Sequence, residues 1–385
     1  MLIEVFKVFF LLGCTSFGGP AAHLGYFRKH FVERLKWVDE AQYAQWIAIS
    51  QIMPGPGSSQ VGFAIGCHRA GILGGIAAFI GFTLPSVILM CVFAWFGAHF
   101  LDAAWFGNII TALKLMAVVV VADAAFGMYR AFCTTAFLKL AALLGGAFVL
   151  AWPFGLAGLL LVIIAAAIGA MMTPSKTPAR ESTQVTSLKR ANLLLLLFFA
   201  LFGLSFLSGL EGVMALIAQF YQAGSFVFGG GHVVLPLIND FVSSDVSTSQ
   251  VLTGYAAAQA VPGPMFTIAT FLGAVSAPSG ASVVWAVAAT LAIFLPGLML
   301  MLVGQSYWQS FSKYQRAQSA IRYINAAVVG LLVATLIFPI IPSSVSAYWQ
   351  IPVVGIAFIW LQAFKPPIWQ LISVFLAGAI TASLF

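Results

Sequence analysis

The chain has 385 residues, 62% of them hydrophobic and 7% charged, with 17 Lys and Arg against 10 Asp and Glu for a formal net charge of +7. Soluble domains carry about 25% charge, so a water-soluble globular protein is excluded. Apolar runs of about twenty residues, in place of alternating segments of about ten, exclude a transmembrane β-barrel and leave an all-α polytopic protein embedded in the lipid bilayer. The basic residues fall in a few loops, which orients a membrane protein and does not suggest nucleic acid as a partner.

The first apolar run, from Leu2 to about Phe17, ends in Phe17-Gly18-Gly19-Pro20. Glu4 and Lys7 within it, with no small-residue cleavage site after it, argue against a cleavable leader. A polar, amphipathic loop from Arg28 to Glu40 follows. The run from Ala41 to Gly66 is broken by Gln51-Ile52-Met53-Pro54-Gly55-Pro56-Gly57-Ser58-Ser59 and leads to the corner Cys67-His68-Arg69-Ala70. Long runs then cover about 71–98, 108–130, 135–151 and 153–172, and Pro85 is expected to kink the first of them. Cys14, Cys67, Cys91 and Cys133 are scattered through apolar stretches without metal-ligand spacing and read as packing residues; no cofactor is implied.

Residues 173–190 form a basic linker, and the run 191–210 has no counterpart in the first half. The remainder repeats the beginning. Phe17-Gly18-Gly19 matches Phe228-Gly229-Gly230, and Pro85 matches Pro296, at an offset of 211; Gln51 and Pro54-Gly55-Pro56 match Gln259 and Pro262-Gly263-Pro264 at an offset of 208. The expected organisation is a first repeat over 1–172, the linker, one extra helix over 191–210, and a second repeat over 211–385.

Loop charges indicate how the repeats are related. The loop after the first Gly-Gly break holds Arg28, Lys29, Arg34 and Lys36, whereas its partner near 239–250 holds Asp240 and Asp245. Conversely, 99–107 has no Lys or Arg, while its partner 304–319 has Lys313 and Arg316. Basic loops stay cytoplasmic, so inverted-topology repeats are expected, with the extra helix supplying the odd crossing. Placing the basic loop and the basic linker on one side requires the first Pro-Gly segment to be a re-entrant hairpin, and placing loop 239–250 outside and 304–319 inside requires the same of the second. About nine true spans and four broken or re-entrant segments near the centre result.

These breaks are candidate binding elements. Pro54, Pro56, Pro262 and Pro264 lack amide hydrogens, and broken backbone at membrane depth is tolerated only where protein or a water-filled cavity covers it. Ser58 and Ser59 after Gly57, and Thr267 after Pro264, are N-cap residue types for new helices. Two helix N-termini facing each other at mid-membrane make an anion site. Gln51 and Gln259 are placed to add amide donors, and Gly18, Gly19, Gly229 and Gly230 to let backbones approach. The plainer reading is that these residues only allow kinks and tight packing. Lys114 and Arg322 occupy matching positions where either supplies charge to an anion or merely snorkels. Asp123 lies mid-run, and His23 and His232 follow the Gly-Gly breaks; these are the candidates for carrying a coupling proton, against structural roles. Arg69 reads as an interfacial anchor. No catalytic set or nucleotide loop is present, so an enzyme is not expected, and either energy comes from a gradient or the path is passive.

Together, Phe17-Gly18-Gly19-Pro20, Pro54-Gly55-Pro56, Phe228-Gly229-Gly230-Gly231 and Pro262-Gly263-Pro264, with Gly273 beyond, resemble the signature of the chromate ion transporter family, in its long-chain two-domain type. The resemblance spans nearly the whole chain apart from the linker, and departs from symmetry where Gly231 stands against Pro20. It implies a bacterial or archaeal inner-membrane protein that exports chromate, with sulfate as a related oxyanion, driven by a gradient. The expected function is thus a secondary transporter of chromate or a sulfate-like oxyanion with a proton as coupling ion, and a homodimer as a plausible assembly. Alternatives are a passive anion channel of the same architecture and an intramembrane enzyme acting on lipid headgroups.

Overall fold

The computed structural model describes residues 1–17, 19–100, 103–152, 157–172, 188–228, 234–242, 246–311 and 315–382. Among them, all regular structure is helical. The first half comprises α1 (Leu2–Thr15), α2 (Gly19–Phe27), α3 (Glu40–Ile52), α4 (Gly57–Phe100), α5 (Ala104–Phe132), α6 (Ala136–Ala151) and α7 (Ala157–Met171). After α8 (Leu188–Leu204), the second comprises α9 (Gly212–Ser225), α10 (Val234–Val242), α11 (Thr248–Ala260), α12 (Ile268–Ser276), α13 (Ser282–Phe311), α14 (Gln315–Thr335), a short α15 (Ile341–Ser344), α16 (Gln350–Phe364) and α17 (Ile368–Ala382). α4 is two arms joined at a corner, where Ala70 (φ −147°, ψ 30°) and Gly71 (φ +67°, ψ −166°) leave helical geometry. Its arms correspond to α12 and α13, so the two halves share one element order. The polytopic, all-helical class expected from composition is what the structure shows.

Helix length separates two kinds of element. α1 and α9 have 14 residues, α3 and α11 have 13. At about 1.5 Å per residue they reach about 20 Å, short of the roughly 30 Å hydrocarbon core. α5, with 29 residues, and α13, with 30, are long enough to cross. Among the described residues, four stretches are long and apolar enough to span, Gly57–Gly97 (which contains the corner), Trp105–Phe132, Ser282–Trp308 and Gln318–Ser344; the other apolar helices there are shorter.

The short helices pair as hairpins. The end of α2 and the turn after it return to α1, placing Phe27 and Phe31 against Phe9, with ring centroids 5.6 and 4.7 Å away. α3 and the first arm of α4 return to one end, where Trp46 meets His68 at 5.6 Å. There the Arg69 guanidinium lies over the Trp37 ring at 5.0 Å and 3.7 Å from the Glu4 carboxylate. In the second half, Ser249 and Gln250 at the start of α11 share a cavity of about 630 Å³ with Ala274 and Val275 at the end of α12.

The halves interlock. α5 packs on α16 and α17 of the second half, and α14 packs on α6 and α7 of the first. At the α6–α14 crossing, a Cβ on Gly146 would stand 3.0 Å from the Gly330 carbonyl oxygen, the close backbone approach that small residues permit between helices in lipid. α8 lies against α9 and α13, where Phe198 joins Tyr221, Met299 and Leu300.

One expectation is corrected. The polar stretch after α2 is not simply a loop. Arg28–Arg34 forms a π-helical turn with Phe31 fully buried, because its aromatics complete the core around Phe9. The sharp turn in α4, at Ala70 and Gly71, falls at the corner expected at Cys67-His68-Arg69-Ala70, and Pro85 lies inside the second arm. The linker, described only from Leu188 onward as the start of α8, lies outside the described residues over 173–187, as do Asp102, Asp245 and Lys313.

Candidate oxyanion site

α3 and α11 end where proline removes the next amides, and each break is carried by a glycine in the left-handed region. Gly55 has φ +127° and Gly263 has φ +99°, a conformation L-residues with a Cβ rarely adopt. Each glycine amide donates to the opposite half. Gly55 N bonds Val227 O at 2.8 Å, just past α9; Gly263 N bonds Ser16 O at 2.8 Å, just past α1. Gly55 and Gly263 are 208 apart in sequence, Ser16 and Val227 are 211 apart, so these are the same bond made twice with the halves exchanged.

The carbonyls of the breaks are held across the halves as well. Ser86 Oγ, one residue past Pro85, donates to Pro262 O at 2.6 Å. The equivalent of Ser86 is Gly297, which has no side chain, and here Gln60 substitutes. Its Nε2 donates to Gly297 O at 2.9 Å and to Pro54 O at 3.0 Å. A Cβ on Gly55 would lie 2.6 Å from Gly297 Cα, so backbone sits on backbone at this crossing.

From the break, α4 starts at Gly57. The amides of Gly57, Ser58 and Ser59 have no intrahelical acceptor, and such an end carries roughly half a positive charge. Gly57, Ser58 and Ser59 are buried. Ser58 Oγ lies 3.2 Å from Nδ1 of His23, which is itself fully buried. The other ring nitrogen of His23 lies 3.3 Å from Ser16 O, and its ring stands edge-on to Phe82. A carbonyl only accepts, so Nε2 carries the hydrogen and, in the neutral ring, Nδ1 accepts from Ser58.

The sequence-derived candidates separate by place. Pro54, Gly55, Pro56, Gly57, Ser58, Ser59, Pro262, Gly263, Pro264 and His23 gather around the two breaks through these contacts. Ser58 and Ser59 are not N-caps, because the helix already begins at Gly57 and places them in its first turn. Thr267 is no side-chain cap either. It ends a 3₁₀ turn, Met265–Thr267, and its hydroxyl donates back to Pro264 O at 2.8 Å. Gln259 is buried, with its amide 3.4 Å from Met265 Sδ. Gln51 is exposed on α3, and the buried glutamine at the first break is Gln60. The signal for Gln60 was a lone amide side chain in an apolar run straight after the break.

Lys114 and Arg322 are not at the breaks. Lys114 Nζ donates to Ser249 Oγ at 2.6 Å, at the start of α11, whereas Pro262 follows the other end of that helix. Arg322 is exposed on α14. Asp123 accepts from Gln362 Nε2 at 2.5 Å, a tie between α5 and α16. Gly19 is described, with φ +76°. Gly18, Gly229, Gly230, Gly231 and His232 lie outside the described residues.

Comparison with known proteins bears on the same two halves. The family described as Chromate transporter matches residues 3–171 and again 214–382. A probable chromate transport protein of Synechococcus elongatus is 26% identical over 349 residues, covering 87% of this chain and 84% of the relative. A chromate transport protein of Pseudomonas aeruginosa is 27% identical over 351 residues, covering 87% and 80%. One of Cupriavidus metallidurans is 24% identical over 353 residues, covering 87% and 82%. No solved structure matches the chain significantly. With both halves matched in full and their breaks joined at the centre, the chain belongs to the chromate transporter family.

Proposed function

We propose that this multi-pass membrane protein moves chromate, and related tetrahedral oxyanions such as sulfate, outward across the inner membrane of a bacterial or archaeal cell, driven by the proton gradient. The observation that carries this reading is the reciprocal pair Gly55 N–Val227 O and Gly263 N–Ser16 O. It brings two broken helices together in the core of the bundle, where the start of α4 offers amides and hydroxyls to an anion.

In this reading the repeats are inverted, and each contributes two hairpins and a set of spans to one centre. Swapped packing of α5 and α14 on the other half's last helices supports that arrangement. The anion exchanges its hydration for the first-turn amides of α4 and the neighbouring hydroxyls, and rocking of one repeat against the other exposes the site to alternate sides. His23 is the residue placed to relay the coupling proton, being in contact with both Ser16 and Ser58.

The test is labelled chromate uptake into everted membrane vesicles, energised or not, with sulfate as competitor. Energised uptake, abolished by collapsing the proton gradient and by replacing Pro54-Gly55-Pro56, is expected. Uptake indifferent to energisation would replace the transporter by a channel.

A further inference from the structure

The two halves are alike in backbone but not in chemistry at their centre. Around the start of α4, the side chains of Ser16, His23, Ser58, Ser59, Thr83 and Ser86 are all nine-tenths or more buried. At the same offsets of 208 and 211, five of these six become Val227, Val234, Phe266, Phe294 and Gly297. The four apolar side chains among them are 0–1% exposed. The sixth pair is Ser59 and Thr267, and it too differs. Thr267 Oγ1 is satisfied by Pro264 O at 2.8 Å, whereas Ser59 Oγ, like Ser16 Oγ, is buried with no hydrogen-bond partner.

Buried hydroxyls are nearly always paired. Three hydroxyls of this cluster, those of Ser16, Ser59 and Thr83, are unpaired, and the helix start beside them has first-turn amides without an intrahelical acceptor. His23 does not use them up. It binds the Ser16 carbonyl and the Ser58 hydroxyl, leaving Ser16 Oγ and Ser59 Oγ free. Among the described residues, the matching positions of the other half hold no unpaired hydroxyl, since Val227, Phe266 and Phe294 are apolar and Thr267 bonds Pro264 O.

We propose that the protein holds a single tetrahedral-oxyanion site per chain, at the start of α4, with Ser16 Oγ, Ser59 Oγ and the first-turn amides as its donors. The second repeat's break is its apolar counterweight and binds no anion. This rests on the oxyanion-transport reading and adds the number of sites and their ligands.

The test is equilibrium dialysis of the purified full chain against labelled chromate, and separately labelled sulfate. One chromate per chain is expected. Ser16→Ala and Ser59→Ala each weaken binding about tenfold, the scale for losing one hydrogen bond to a charged ligand. Ser59→Thr, which keeps the hydroxyl, retains binding, and the chromate-induced rise in melting temperature follows the same order. Two chromates per chain, or unchanged affinity in Ser59→Ala, overturns the single site. One sulfate per chain with the same variant sensitivity, and no chromate, sustains the site and overturns chromate as the substrate. Binding of neither anion overturns both.

Discussion

Gly263 and Gly55 combine two constraints that no other residue meets. A Cβ on Gly263 would fall 2.1 Å from Ser86 Oγ, and one on Gly55 would fall 2.6 Å from Gly297 Cα, each at a positive φ. The second contact is against backbone and has no rotamer to give way. Gly55→Ala is therefore expected to destabilise the protein by about 1–3 kcal/mol from backbone strain alone, plus the displacement of α13, and to abolish transport. Thermal unfolding of the purified variant, with uptake in the same preparation, checks it. Ser86→Ala removes one donor from Pro262 O and leaves that carbonyl unpaired. It should cost about 1–3 kcal/mol and lower the melting temperature while leaving the first break intact. The glycines and prolines themselves were legible in the sequence, since their effect is local. Gln60 was not, because its role depends on Gly297, which it meets across 237 residues of chain.

For the helices, length and contacts decide what crosses. α3 and the first arm of α4 together hold enough apolar residues for a span, and only their return to a common end, with Trp46 on His68, makes them a hairpin. Single cysteines at Glu40 and Arg69, in a background lacking Cys14, Cys67, Cys91 and Cys133, are expected to react with an impermeant reagent from the same side. Reaction from opposite sides would turn the hairpin into a crossing. The parity of charged loops predicts entry and exit on the same side, since only one count of crossings agrees with the positions of Lys and Arg. Lys114 and Arg322 show where such reasoning stops. Their matching positions in the two repeats suggested a shared site, but a duplicated residue in exchanged halves is carried to two places. Lys114 ends up at the start of α11, away from the break.

At the scale of the whole molecule, neither half encloses its own core. α5 needs α16 and α17, and α14 needs α6 and α7. Residues 1–172 or 211–385 expressed alone should fail to fold or be degraded, whereas the two co-expressed as separate chains should co-purify and restore uptake. Independent folding of either half would contradict the swapped packing. The amino-acid sequence alone was enough for the class, the duplication and the location of the breaks. Lipid leaves the backbone no partners except within helices, and proline withholds its amide wherever it stands. The tertiary structure alone decided which groups meet at those breaks. Gly263 bonds Ser16, Ser86 reaches Pro262 across 176 residues, and the polar side chains collect on one repeat while its twin fills with Val and Phe. Such pairings depend on how two similar halves dock, and a pattern that reads the same in both halves does not reveal which one carries the unpaired donors.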